Sequence, residues 1–122
     1  MRVLVTGAEG FIGQNLVVAL GRLEGITVAG YDLGSDPRVL AEGLDTCDFV
    51  CHLAGVNRPT DESEYAAGNG GFTERLCELL SGLGRRPKIV FSSSIRAESA
   101  TAYGASKRAA EAALERFAAE AH

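Results

Sequence analysis

The strongest constraint on this chain is a change of hydrophobic period across one glycine-rich turn. Residues 2–6, Arg-Val-Leu-Val-Thr, are short, β-branched and apolar, and Gly7 follows at once. That pattern reads as a buried strand running into a turn. From Gly10 the apolar residues Phe11, Ile12, Leu16, Val17 and Leu20 recur at helical spacing, which predicts an amphipathic helix to about Leu23. Strand, tight turn and helix therefore follow one another without a linker.

The alternation continues to the end. Residues 26–31 read as a second strand, and Asp36-Pro37 as an N-cap with proline at the first helical position, opening a short helix to about residue 44. Residues 48–53, Asp-Phe-Val-Cys-His-Leu, form a third buried strand ended by Ala54-Gly55. A longer helix, loosened by Gly68, Gly70 and Gly71, runs from about Ser63 or Tyr65 to Leu83. Residues 87–92 make a fourth strand, and the Ala-rich stretch 102–121 a last helix. Strands alternating with helices predict a parallel sheet with right-handed crossovers, its strands covered on both faces. The fold class is α/β, a Rossmann-like doubly wound parallel sheet. Its 122 residues, with no internal repeat or linker, read as one domain.

Composition excludes several classes of function. A net charge of −4 with no basic stripe argues against nucleic acid or an anionic membrane surface as partner. No apolar stretch reaches the ~18–20 residues of a membrane span. The amino terminus enters a strand directly, without the apolar run of a signal peptide, so a cytoplasmic location is expected. Cys47, Cys51 and Cys77 lack metal-ligand spacing, so no metal is expected. Cys47 and Cys51, four apart in a strand-like segment, are read as buried structural thiols on one face.

The glycine turn carries chemistry. In Thr6-Gly7-Ala8-Glu9-Gly10-Phe11-Ile12-Gly13, the first glycine permits the tight turn and the second lets backbone approach a pyrophosphate. The third lets helix pack closely on strand. An anion then sits on the free N–H groups and positive dipole end of the helix, at Gly10, Phe11, Ile12 and Gly13. Asp32 closes the second strand 19 residues after Gly13, where a carboxylate accepts hydrogen bonds from a ribose 2′-hydroxyl. The competing reading is a purely structural turn with Asp32 a solvated loop residue.

Tyr103 and Lys107 stand four apart at the start of the last helix, on one face. A phenol titrating near 10 is a poor acid or base at neutral pH, and a neighbouring cation brings it toward the working range. Ser92-Ser93-Ser94 ends the fourth strand at the carboxyl edge, where α/β sheets hold ligands. Alone, Tyr103 and Lys107 would be an ordinary exposed helix pair. Arg58, in the loop after the third strand, is either a contact for a substrate diphosphate or a solvated loop arginine.

With these residues in hand, the chain resembles the extended short-chain dehydrogenase/reductases, the NAD(P)-dependent sugar-nucleotide epimerase, dehydratase and reductase family. The matching pieces are residues 6–13, His-Leu-Ala-Gly at 52–55, Asn69, the serine run, and Tyr103 with Lys107. The resemblance implies four strands in the order 2-1-3-4, Gly7, Gly10 and Gly13 holding the pyrophosphate, and Leu53, Ala54 and Gly55 lining the cofactor through their backbone. It further implies Tyr103 as acid or base, and Lys107 on the nicotinamide ribose. Ser94, with Ser93 as second choice, would hold the sugar carbonyl oxygen, and Asn69 would support the site.

Two departures narrow the resemblance. Only about 15 residues separate the second strand from the strand that carries His-Leu-Ala-Gly, where most members place another strand, and Ser94 and Tyr103 are nine apart, where most have a longer excursion. With Val-Asn-Arg-Pro at 56–59 and Ile-Arg-Ala at 95–97, these shortenings are similar to one subgroup. It is the capsular-polysaccharide and O-antigen reductases acting on UDP-4-keto-6-deoxy-hexosamines, whose substrate region and cupin domain follow later in the chain. The resemblance thus implies a nucleotide-sugar 4-keto reductase using NAD or NADP with a UDP-sugar, and a chain holding only the amino-terminal part. An exposed edge on the fourth strand would favour a homodimer. An epimerase or dehydratase retaining NAD, and a cofactor-binding module without turnover, stay open. So does NAD against NADP, since Asp32 disfavours a 2′-phosphate while the subgroup generally uses NADPH and Arg38 lies nearby in sequence.

Overall fold

The computed structural model describes residues 1–32, 35–53, 71–92 and 102–120, with the side chains of Ala102 and Tyr103 outside that set. Eight elements follow in order: β1 (Arg2–Thr6), α1 (Phe11–Gly21), β2 (Thr27–Tyr31), α2 (Pro37–Thr46), β3 (Phe49–His52), α3 (Phe72–Leu83), β4 (Lys88–Phe91) and α4 (Ala102–Ala119). The chain divides into two compact units. One joins Met1–Ala54 with Leu83–Ser92, the other Gly55–Gly82 with Ser93–His122.

The first unit is a four-stranded parallel sheet in the order β2-β1-β3-β4. β1 is its centre, pairing Val3 with Val28 on one side and with Phe49 on the other. Val3, Leu4, Val5 and Thr6 are all buried, as an apolar strand covered on both faces must be. α2 begins as its residues dictate: the Asp36 carboxylate accepts the Arg38 N–H at 2.9 Å, and Pro37 fills the first position. Leu40 and Leu44 are its buried face. Arg38 is thereby accounted for, since its guanidinium pairs with Asp36 at 2.9 Å on this exposed first turn.

In the second unit, α3 buries Phe72, Leu76, Cys77 and Leu80 at helical spacing. Ala110, Ala113 and Phe117 are the buried positions toward the end of α4. The Cys77 thiol reaches the Ala113 carbonyl at 3.8 Å, and Arg116 pairs with Glu74 at 3.6 Å. Residues 63–70, expected to open the long helix, lie outside the described residues.

Four expectations are corrected. The two outer strands are not covered on both faces: Thr27, Ala29 and Gly30 of β2 and Lys88 and Val90 of β4 are exposed. Among the described residues they are the sheet's edges, and each has a neighbour on one side only. Phe11 and Ile12 do not join the packed stripe of α1, being 85% and 63% exposed, whereas Leu16, Val17 and Leu20 are half-buried. The helix ends at Gly21 rather than about Leu23. Finally, Cys47 is not in a strand with Cys51 but caps α2, its N–H donating to the Gly43 carbonyl at 2.9 Å. Burial pushes both thiols up, so neither has thiolate character.

Candidate dinucleotide-binding site

The loop from Thr6 to Gly13 is held by specific contacts. Gly7 has φ +73°, a left-handed conformation that L side chains rarely adopt, and its carbonyl accepts the Gly10 N–H at 3.1 Å. A Cβ on Gly13 would overlap the Gly7 carbonyl and lie 3.0 Å from the Ala8 Cα, so the start of α1 can cross the turn only without a side chain there. These two glycines are explained by the loop itself.

Gly10 is not. Its backbone, φ −72° and ψ 167°, suits any residue, and a Cβ there would make ordinary contact with a single atom, the Gly7 carbonyl oxygen at 3.4 Å. It is exposed, and it forms the amino end of α1, where no side chain supplies a capping hydrogen bond. Helix amino ends normally recruit a capping oxygen, and an anion supplies the same acceptor. A missing side chain beside an uncapped helix end is what a closely approaching phosphate requires, so the residues present fit a dinucleotide. The expected result for Gly10→Ala is a melting midpoint within ~2 °C of the parent, consistent with a minor stability change. Fluorescence titration should show NADH affinity falling at least about tenfold through lost backbone approach.

The loop peptide at Glu9 is gripped at both ends. Its N–H donates to the Asp32 carboxylate at 2.9 Å, and its carbonyl accepts from the Gln14 side chain at 2.7 Å. Asp32 itself is half-buried at the end of β2, its N–H donating to Ser35 Oγ at 3.1 Å. Asp32 therefore sits against the loop, with one carboxylate oxygen ordering it. Gln14 was not read from the sequence. Its one signal is its place directly after the third glycine.

Leu53 stands at the exit of β3, with its N–H shared between the Thr6 carbonyl at 3.2 Å and the Thr6 hydroxyl at 3.1 Å. Gly7, Gly10, Phe11, Ile12, Gly13, Asp32 and Leu53 thus all belong to the first unit, each of them on the glycine loop or in contact with it. Lys107 belongs to the second. It is 6% exposed, and burial pulls its ammonium below the ordinary lysine range while the Glu111 carboxylate, one turn on, partly offsets this. Tyr103 lies one turn before it within α4, by backbone position. Ala54, Gly55, Arg58, Asn69, Ser93 and Ser94, and the Tyr103 side chain, lie outside the described residues.

Residues 3–122 match the family model described as the NAD dependent epimerase/dehydratase family. The chain belongs to that family. Within it, the chain is 45% identical over 115 residues to the UDP-2-acetamido-2,6-beta-L-arabino-hexul-4-ose reductase of Pseudomonas aeruginosa, covering 94% of this chain and 31% of the relative. Among solved structures, the capsular polysaccharide assembling protein CapF from Staphylococcus aureus superposes with a TM-score of 0.83 at 34% identity, over 98% of this chain and 32% of CapF. A short-chain dehydrogenase/reductase superfamily protein from Agrobacterium tumefaciens with bound NAD superposes with a TM-score of 0.77 at 27% identity, over 93% of this chain and 44% of that one. The chain thus spans about a third of the length of the curated relative. These family relatives carry the same Rossmann-like fold as the described sheet.

Proposed function

We propose that this chain is the cofactor-binding part of an NAD(P)-dependent reductase acting on the 4-keto group of a UDP-sugar in capsule or O-antigen sugar synthesis. The observation that carries the reading is Gly10, a glycine with no internal reason at an uncapped helix end. The 45% identity to a hexul-4-ose reductase supports the reaction class. The substrate region would lie outside this chain.

The bound dinucleotide would supply the hydride. The amino end of α1 holds its pyrophosphate, and Asp32 takes an adenosine ribose hydroxyl on the side not committed to Glu9. Leu53, Ala54 and Gly55 line it through their backbone. Tyr103 donates a proton to the sugar's 4-oxygen, while Ser94, with Ser93 as second choice, hydrogen-bonds that oxygen and polarises the carbonyl. Lys107 binds the nicotinamide ribose and stabilises the tyrosinate, and Glu111 favours the charged lysine. Arg58 pairs with the substrate diphosphate. We place the intact enzyme in the cytoplasm as a homodimer. Among the described residues, no helix is long and apolar enough to cross a membrane.

The test is fluorescence titration of the intact protein with NADH and NADPH, followed by turnover with a UDP-4-keto sugar. Stoichiometric oxidation of the reduced cofactor supports the reductase. Conversion of a UDP-sugar without net cofactor consumption would replace it with an epimerase or dehydratase, which the family also includes. Asp32→Ala should weaken NADH about tenfold and NADPH less, because a carboxylate favours a 2′-hydroxyl and repels a 2′-phosphate. Equal losses for both cofactors would confine Asp32 to holding the Glu9 N–H.

A further inference from the structure

Gly30 lies outside the glycine motif, as the penultimate residue of β2, and pairs in register with Val5 of β1. Glycine weakens a strand, and inside one it often marks a place where another part of the chain comes close. Here that part is the glycine loop. A Cβ on Gly30 would lie 2.7 Å from the Ala8 Cβ, whereas Val17 of α1 would be at an ordinary 4.0 Å. The crowding therefore comes from the first half of the loop alone.

That half of the loop is laid along the end of β2. The Ala8 N–H donates to the Tyr31 carbonyl at 3.2 Å, and the Glu9 N–H to the Asp32 carboxylate at 2.9 Å. Gly30 gives the clearance, and Tyr31 and Asp32 the bonds. The Ala8 methyl has no side-chain torsion by which to swing aside, so a side chain at position 30 must displace the Ala8 backbone. The loop then lifts from β2, and Gly10 at the amino end of α1 shifts relative to Asp32.

A dinucleotide fixes the distance between its pyrophosphate and its adenosine ribose covalently. Its affinity then depends on the separation already held between the amino end of α1 and the Asp32 carboxylate. We propose that Gly30 is a positioning residue that seats the loop on β2 and so sets that separation for the bound dinucleotide. It acts through Ala8 and touches no ligand itself. This rests on the dinucleotide reading above.

The experiment titrates NADH and NADPH by fluorescence, well below every melting midpoint, and follows the tighter-bound of the two. The intact protein is compared with three variants, and their midpoints are measured in parallel. Gly30→Ala should weaken the cofactor about tenfold. The backbone there has no positive φ, so alanine is disfavoured only by its clash with Ala8. Ala8→Gly, the control, should bind within about threefold of the parent. In Ala8→Gly/Gly30→Ala the methyl has changed sides, and affinity should match that of Ala8→Gly to within about twofold. Gly30→Ala with parental affinity would overturn the proposal, whatever its midpoint, because a fall in midpoint alone makes Gly30 a matter of strand packing. So would a tenfold loss that persists in the Ala8→Gly background, since the effect would then not pass through Ala8. A parent protein that binds neither NADH nor NADPH would instead overturn the dinucleotide reading, and this inference with it.

Discussion

Replacing Gly13 by alanine is expected to cost about 3 kcal/mol of stability, the upper range for forcing extra volume into a packed site. For a chain of this size that is a fall in melting midpoint of about 10–15 °C. The added Cβ would meet the Gly7 carbonyl and the Ala8 Cα, which are backbone atoms and cannot rotate away. Relief requires either α1 to lift from β1 or Gly7 to leave its φ of +73°, and the second dismantles the turn. NADH binding should vanish with the fold of the loop. Thermal melts of Gly13→Ala beside Gly10→Ala separate the two kinds of glycine. A midpoint for Gly13→Ala within ~2 °C of the parent would mean that the turn can relax by a route these contacts do not suggest.

The second large effect concerns Lys107. Because burial lowers its proton affinity, the folded state binds fewer protons at this site than the unfolded chain between the two pKa values. The unfavourable contribution is fully present below the folded pKa. It fades as the pH rises toward 10.5, the ordinary lysine value. Lys107→Met removes the buried charge while keeping length, so its midpoint should equal or exceed the parent's at neutral pH, and any gain should shrink as the buffer is made alkaline. Turnover of a UDP-4-keto sugar by the intact protein should fall at least about a thousandfold, within the range lost with a tuned proton donor. A variant that is more stable and inactive marks a group held at a cost to the fold. One that is less stable and fully active would overturn the role proposed for Lys107.

Much of this was legible from the residues because each local signal agreed with its neighbours. Apolar runs of four to six residues and helical spacing placed the described strands and helices to within a few residues, save the start of α3, whose expected first turns lie outside the described residues. Asp36-Pro37 marked the start of α2, and its cap hydrogen bond is present. The strand order 2-1-3-4 followed from the resemblance to a family and is the order found. The misreadings of burial share one cause: periodicity reports which residues are apolar, not what covers them. Phe11 and Ile12 fit a helical stripe yet stand exposed, and Val90 fits a buried strand yet is 52% exposed. The buried hydrogen bond between Thr6 and His52 was invisible, since 46 residues separate them and only the β1–β3 register brings them together. Gln14 escaped for the opposite reason. Its contact is local, but nothing distinguishes a loop-anchoring glutamine from a solvated one until the Glu9 carbonyl is placed.

The central position of β1 has a consequence for synthesis. Its first edge finds a partner once residues 27–31 have been made, but its second must wait for residues 49–52. At a translation rate of about 5–20 residues per second, that interval lasts roughly one to a few seconds after the β1-α1-β2 segment emerges. Throughout it, an apolar ribbon with unpaired amides is displayed to whatever lies near the ribosome. The strand most thoroughly enclosed in the finished sheet is thus, during its making, the nascent chain's most exposed hazard.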